Sequence, residues 1–183
     1  MTERERDQMN LRETITRSTG CVAACVFTAF MTTSAVADIS VRFDEGAPKD
    51  RFTFENVGSC PISASKLVLD ISGSKAGLIF DTTASGAGVE VFQPFEIVNG
   101  SKSLAAVTPV KDGDSEITLS IADLQPGAKI AFTIDVDDTA GGREITVSGS
   151  EIEGALVTFS NKGKTATSAL SSSATALIKT GAC

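Results

Sequence analysis

From Lys129 to Asp137 the chain reads KIAFTIDVD, with Ile130, Phe132, Ile134 and Val136 at every second position. A two-residue period sends successive side chains to opposite faces of a pleated strand, so these four face one way while Asp135 and Asp137 share the other face. The same alternation recurs in Ile39, Val41 and Phe43, in Phe52 and Phe54, in Leu67, Leu69 and Ile71, and in Ile117, Leu119 and Ile121. Nowhere after residue 37 do apolar residues recur at helical spacing, and no repeat of fixed period is visible. A chain patterned in this way buries its apolar faces by packing one sheet against another.

Turn chemistry divides the strands. Gly46-Ala47-Pro48, Asn56-Val57-Gly58-Ser59, Lys75-Ala76-Gly77, Ser85-Gly86-Ala87-Gly88, Asn99-Gly100, Asp112-Gly113-Asp114, Leu124-Gln125-Pro126-Gly127 and Asn161-Lys162-Gly163-Lys164 all interrupt the alternation with residues that reverse a chain. Leu78-Ile79-Phe80 reads as a short apolar strand, Val89 to Phe95 as an edge strand ended by Pro94, and Leu104 to Val110 as another. In the stretch 129–159, Gly141-Gly142 reverses the chain, Ile145 and Val147 lead it back, and Glu151 and Glu153 open the next strand. Beyond Phe159 the Ala, Ser and Thr-rich remainder reads as a weak strand followed by coil or a short strand. The expected fold is all-β: a single antiparallel β-sandwich, immunoglobulin-like or jelly-roll-like, of about nine or ten strands, with eight phenylalanines from residue 38 onward filling its core.

The first 37 residues stand apart. Gly20 to Ala37 is an apolar run ending in Ala35-Val36-Ala37, whose small first and third residues suit signal peptidase, so residues 1–37 read as a signal peptide and 38–183 as the domain. Arg4, Arg6, Arg12 and Arg17 are matched there by Glu3, Glu5, Asp7 and Glu13, whereas a start at Met9 leaves Arg12 and Arg17 against Glu13 alone. Val22-Ala23-Ala24-Cys25 has the letters of a lipidation box, but its apolar region follows the cysteine, which favours simple cleavage. The expected location is therefore outside the cytoplasm: extracellular, cell surface or periplasm. The processed chain is expected to have no stable membrane insertion.

A domain of about 150 residues can bury roughly 68–70% of its unfolded surface and so hold its own core. Its formal net charge of −7 argues against nucleic acid as a partner, which demands a basic patch. Two cysteines follow the leader, Cys60 and Cys183, and in an exported protein such a pair is expected to form a disulfide closing a long loop.

The chain has no histidine, tryptophan or tyrosine. That removes the Ser-His-Asp and Cys-His arrangements and the imidazole ligands of most catalytic zinc sites. Paired carboxylates would suffice for glycoside hydrolysis, yet the aromatic residues that usually wall a sugar cleft are missing, so no catalytic residue is assigned and the expected protein is not an enzyme. Calcium is the better use of the acids, because this hard cation takes six to eight oxygen ligands. Asp135, Asp137 and Asp138 lie within four residues beside a glycine-rich turn, and Glu151 and Glu153 reach the same edge if their strand lies next to it. Asp112-Gly113-Asp114 is a second candidate whose simpler reading is a hairpin turn. The competing account of the main cluster is a solvated acidic face that protects a sheet edge.

Three stretches, VRFDEGAPKDRFTFEN (41–56), GLIFDTTASGAGVEVFQPFEIV (77–98) and FTIDVDDTAGGREITVSGSEIEGA (132–155), resemble a bacterial family described as aggregation factor core, similar to the core protein of the sponge aggregation factor. The resemblance implies an extracellular or surface β-sandwich with a role in cell adhesion or matrix assembly, its partner being an extracellular protein, a glycan or a second copy of itself. It also adds interest to calcium, on which sponge aggregation depends. The alternative from another class is a calcium-assisted carbohydrate-binding module.

Overall fold

The computed structural model describes residues 36–86, 88, 92–139 and 147–181. The described residues belong to one compact unit, Ser34–Cys183, the sandwich. Its strands are β1 (Asp38–Asp44), β2 (Asp50–Asn56), β3 (Ile62–Asp70), β4 (Ile79–Asp81), β5 (Glu96–Asn99), β6 (Leu104–Val107), β7 (Glu116–Leu124), β8 (Lys129–Asp137), β9 (Leu156–Asn161), β10 (Lys164–Ala169) and β11 (Thr175–Lys179). One sheet runs β11-β1-β2-β8-β4, with β5 also paired to β8, and the other runs β10-β9-β3-β7-β6. Every pairing is antiparallel. The chain forms the expected β-sandwich.

Alternation decides which faces meet. Ile39, Val41, Phe43, Phe52, Phe54, Ile130, Phe132, Ile134 and Val136 from one sheet are buried in the same core as Leu67, Leu69, Ile117, Leu119, Ile121, Val157 and Phe159 from the other. Phe132 is the hub of the aromatic part, with ring centroids 5.1 Å from Phe52, 6.0 Å from Phe54 and 5.0 Å from Phe95. Phe43, Phe52, Phe54, Phe80, Phe132 and Phe159 are buried, while Phe92 and Phe95 are half-buried.

Turn residues perform as their chemistry dictates. At Gln125-Pro126-Gly127-Ala128, proline presets the first turning residue and Gly127, at φ 74°, supplies the second, so that Ala128 N–H reaches Gln125 O at 2.9 Å. Lys162 (φ 45°) and Gly163 (φ 79°) form the two-residue reversal that sets Asn161 opposite Lys164. Between β3 and β7 the register runs unbroken from Ser63↔Asp123 to Ser65↔Ile121, with Ala64, at φ 44°, between them. The parity of burial changes at this level in both strands, so that Ile62 is buried as well as Leu67, and Leu124 as well as Ile121.

After Phe159 the chain forms a strand and then a short strand, β10 and β11, one of the two alternatives read there, and β11 pairs with β1 as an edge strand. Two readings change in detail. Residues 92–95 are not strand, and the pairing with β8 begins at Glu96. Glu151 and Glu153 do not open a strand but lie in a turn before β9. Ser148 O accepts from Glu151 N–H at 3.0 Å and from Ile152 N–H at 3.3 Å, and Glu151 Oε2 reaches back to Ser148 N–H at 2.6 Å. Glu151 thus supplies the glutamate half of a capping box on a turn, while Ser148 Oγ meets Ser150 Oγ at 2.9 Å and not Glu151 N–H; Ser148-Gly149-Ser150-Glu151 carries the S-x-x-E signature. Of the reversal read at Gly141-Gly142 and its flanking Ile145, all lie outside the described residues.

Candidate functional site

The C-terminal end of β8 gathers carboxylates from four parts of the chain. Because β4 pairs antiparallel to β8 with Asp81 opposite Asp135 and Ile79 opposite Asp137, parity puts Asp81, Asp135 and Asp137 on one face of the sheet. On the other side of β8, β2 begins at Asp50, opposite Ile134. The turn 111–114 docks on β4, with Gly113 N–H to Phe80 O at 2.9 Å and Phe80 N–H to Asp114 O at 2.8 Å, and carries Asp112 to the same pole. Like charges directly opposite each other on a sheet are destabilising, so this arrangement is not one that strand formation alone would favour.

These acids are also out of water. Asp50 is 1% exposed, Asp81 0%, and Asp135 and Asp137 6% each. Asp50 is fully engaged: its Oδ1 accepts from Gly46 N–H and its Oδ2 from Val136 N–H, both at 3.1 Å. Asp81 and Asp135 differ, since Asp81 Oδ2 and Asp135 Oδ2 are buried without a hydrogen-bond partner. Among the described residues no lysine or arginine forms an ion pair with Asp50, Asp81 or Asp135.

The electrostatics follow from that isolation. Burial, opposed by the bond from Gly46 and reinforced by the charges of Asp135 and Asp137, pushes Asp50 up to about 7. Burial, the facing carboxyl of Asp112 and the nearby Asp137 push Asp81 up to about 7 as well. For Asp135 the causes are burial and then Asp137, and the result is again about 7. The shared physical cause is burial of the carboxyl, reinforced by negative charge held close to it.

Two glycines of the loop after β4 lie directly on these oxygens. A Cβ on Gly88 would sit 2.2 Å from Asp81 Oδ2 and 2.4 Å from Asp137 Oδ2, and one on Gly86 would sit 1.7 Å from Asp112 Oδ2. The oxygens of Asp81 and Asp137 therefore converge on one point beside the Gly88 backbone, and any side chain there would displace them. Among the described residues no three acidic side chains are already disposed as a closed metal cage. The carboxylates are gathered, not yet arranged around an ion.

Of the five acids read from the sequence as calcium ligands, the structure brings Asp135 and Asp137 to this pole and leaves Asp138 half-buried just past the end of β8. Glu151 and Glu153 are engaged elsewhere, Glu151 on Ser148 N–H and Glu153 in an ion pair with Lys75. The turn 112–114 divides. Asp112 Oδ1 accepts from Thr82 N–H at 3.1 Å beside Asp81, while Asp114 Oδ2 closes its own turn on Lys111 N–H at 2.7 Å. Asp50 was legible: extending the alternation of Phe52 and Phe54 back one step puts an aspartate on the inward face of β2. Asp81 carried no comparable signal beyond ending an apolar run, because its partner strand follows from topology. Cys60 is buried in the loop after β2, and Cys183 lies outside the described residues.

Comparison with known proteins adds no name to this geometry: no family model matches the chain, and no curated protein matches it.

Proposed function

We propose that this chain is an exported, non-enzymatic β-sandwich that acts in adhesion or self-association and takes a calcium-class cation at its aspartate pole. The observation that carries the reading is the pair of buried, unpartnered oxygens, Asp81 Oδ2 and Asp135 Oδ2, beside Asp137 and Asp112. A buried polar atom without a partner costs on the order of 1–3 kcal/mol, and more if charged. A hard cation removes that cost at several atoms together. The donor set fits, being all oxygen, anionic and short-stemmed, as calcium prefers. Asp81, Asp135 and Asp137 would hold the ion, Asp112 would close the mouth, and Asp50 would stay on its backbone donors and fix the end of β8. Bound calcium would supply positive charge and ligand bonds tying β4, β8 and the turn 111–114 together.

The adhesive role rests on the resemblance to aggregation factor core proteins and on the export reading. The Cys60–Cys183 disulfide belongs to the same proposal. It is supported by the burial of Cys60 and by Thr180, three residues before Cys183, lining one cavity with Pro61 and Ile62. A thiol assay on unfolded, unreduced protein should find neither cysteine reactive, and two free thiols would refute the link.

The decisive experiment is calorimetric titration of calcium into the processed protein, paired with sedimentation in calcium and in chelator. Binding heat and a shift to larger species in calcium support the reading. No heat and no change in melting temperature would sink the cation site, since a ligand bound only by the native state must stabilise it. Calcium binding without association would leave the site and remove the self-association role, and a glycan array in calcium would then test the carbohydrate-binding alternative.

A further inference from the structure

Three features of the fold serve two residues, Val36 and Ala37, that the simplest reading of the leader discards. Ala37 is 1% exposed and belongs to the hydrophobic core. Val36 N–H donates to Ser59 Oγ at 3.3 Å, and Ser59 N–H donates to Val36 O at 2.8 Å, extending the pairing that Val57 N–H makes with Asp38 O at 2.9 Å. The hydroxyl of Thr180, itself 7% exposed, donates to Ala37 O. Gly58 lies flat against this backbone: a Cβ there would fall 2.2 Å from Val36 O, 2.6 Å from Ala37 Cα and 2.7 Å from Asp38 N. All of these neighbours except the last hydroxyl are set by one buried side chain. Asn56 donates through Nδ2 to Cys60 O and to Leu124 O, both at 2.9 Å, and accepts from Gly58 N–H at 3.0 Å, which pins the loop 56–60 where residues 36–38 pass.

A chain beginning at Asp38 would break this arrangement at several points. Ser59 N–H and the buried Thr180 hydroxyl would lose their acceptors, Ala37 would leave a gap in the core, and a charged ammonium would replace the Asp38 amide against Gly58. Unsatisfied buried groups and a core gap are each among the changes that destabilise a domain measurably. Of the three atoms that a Cβ on Gly58 would strike, the two closest belong to residues 36 and 37. The peptidase reads an extended chain during export, so the fold does not steer the cut. The fold does reveal which mature chain it was built around.

We propose that the mature protein keeps Val36 and Ala37, the leader being removed at the Ala35–Val36 bond. This rests on the export reading. Ala35 at the last position before the cut and Thr33 two before it are both small, which the peptidase requires. The step is a plain hydrolysis: water gives its hydroxyl to the Ala35 carbonyl carbon and a proton to the Val36 nitrogen, with no other reactant.

The test is export of the full-length precursor, followed by intact-mass measurement and N-terminal sequencing of the exported form. An N-terminus at Val36 is expected, and one at Ala37 or Asp38 overturns the proposal. An exported but uncut chain overturns it too, and recovery only as cytoplasmic precursor overturns the export reading on which it stands. A second variant, Thr33→Arg, lies outside the described residues and puts a large charge two residues before Ala35, while leaving Ala35 and Ala37 for the alternative cut. Accumulation of uncut precursor is expected, and unchanged yield of a chain starting at Asp38 would count decisively against the proposal.

Discussion

Two acidic regions of this molecule look alike in the sequence and opposite in the fold. In the turn 148–153, Glu151 caps Ser148 N–H and Glu153 pairs with Lys75, so each carboxylate has a donor and access to water. At the end of β8, Asp81 and Asp135 have neighbours of their own sign, almost no water and an oxygen each without a partner. The difference teaches that counting carboxylates finds acidity, whereas a site needs carboxylates whose desolvation nothing in the chain offsets. Among the described residues the carboxylates of the turn have their donors, and Asp81 Oδ2 and Asp135 Oδ2 do not.

Calcium should therefore separate the two regions most sharply. At a concentration of about 100 times its Kd, a native-state ligand adds about 2.7 kcal/mol, which for a domain of this size corresponds to a rise in melting temperature of roughly 5–10 °C. The double variant Asp81→Asn/Asp135→Asn should lose that rise entirely, while Glu151→Gln and Glu153→Gln keep it. Loss of the calcium response in the glutamate variants, with retention in the aspartate variants, would invert the comparison and restore the ligand set read from the sequence.

Without calcium the same double variant should be more stable than the unaltered protein near pH 8, by on the order of 1 kcal/mol, because it removes charge that is buried without balance. Most buried-polar substitutions destabilise, so a gain is diagnostic. Thermal melts in chelator check it, and a loss of more than about 1 kcal/mol would mean that these carboxylates already have what they need.

How far the pole could be read in advance follows from which interactions are local. The sandwich was legible because period-two patterning acts within each strand. Asp135 and Asp137 were legible as a same-face pair for the same reason. Asp81 and Asp112 were not, since the place of Asp81 beside Asp135 depends on β4 pairing with β8, and that of Asp112 beside Asp81 on the turn 111–114 docking on β4, which alternation does not encode. Glu151 read as strand although Ser148-Gly149-Ser150-Glu151 carries a local S-x-x-E turn signature.

Acid should stabilise the pole. Asp50, Asp81 and Asp135 have folded-state values near 7, against 3.8 for the ordinary group. Between those values the native state binds more protons than the unfolded one, so stability contributed by these groups is present below about 4 and is lost as pH rises through about 7. In chelator, the melting temperature should rise by several degrees from pH 8 to pH 5, and the rise should be smaller in Asp81→Asn/Asp135→Asn. A flat profile in the unaltered protein, or an equal rise in the variant, would show that the pole does not hold protons in the way its burial implies.

The smallest effects belong to the turn, and they test whether it is as ordinary as its partners suggest. Glu151→Ala removes the acceptor of Ser148 N–H and should cost about 1 kcal/mol, the usual size of a lost helix-type cap. Glu153→Gln should cost less than about 0.5 kcal/mol, because its pair with Lys75 is a surface contact, with the lysine side chain 64% exposed and the glutamate 34%. Salt discriminates the two. Raising ionic strength should erase the small Glu153 effect by screening, while the capping loss, a hydrogen bond to a defined donor, should persist. If Glu153→Gln cost as much as Glu151→Ala and resisted salt, the Lys75–Glu153 contact would be part of a buried network. The turn would then have to be counted with the pole, not against it.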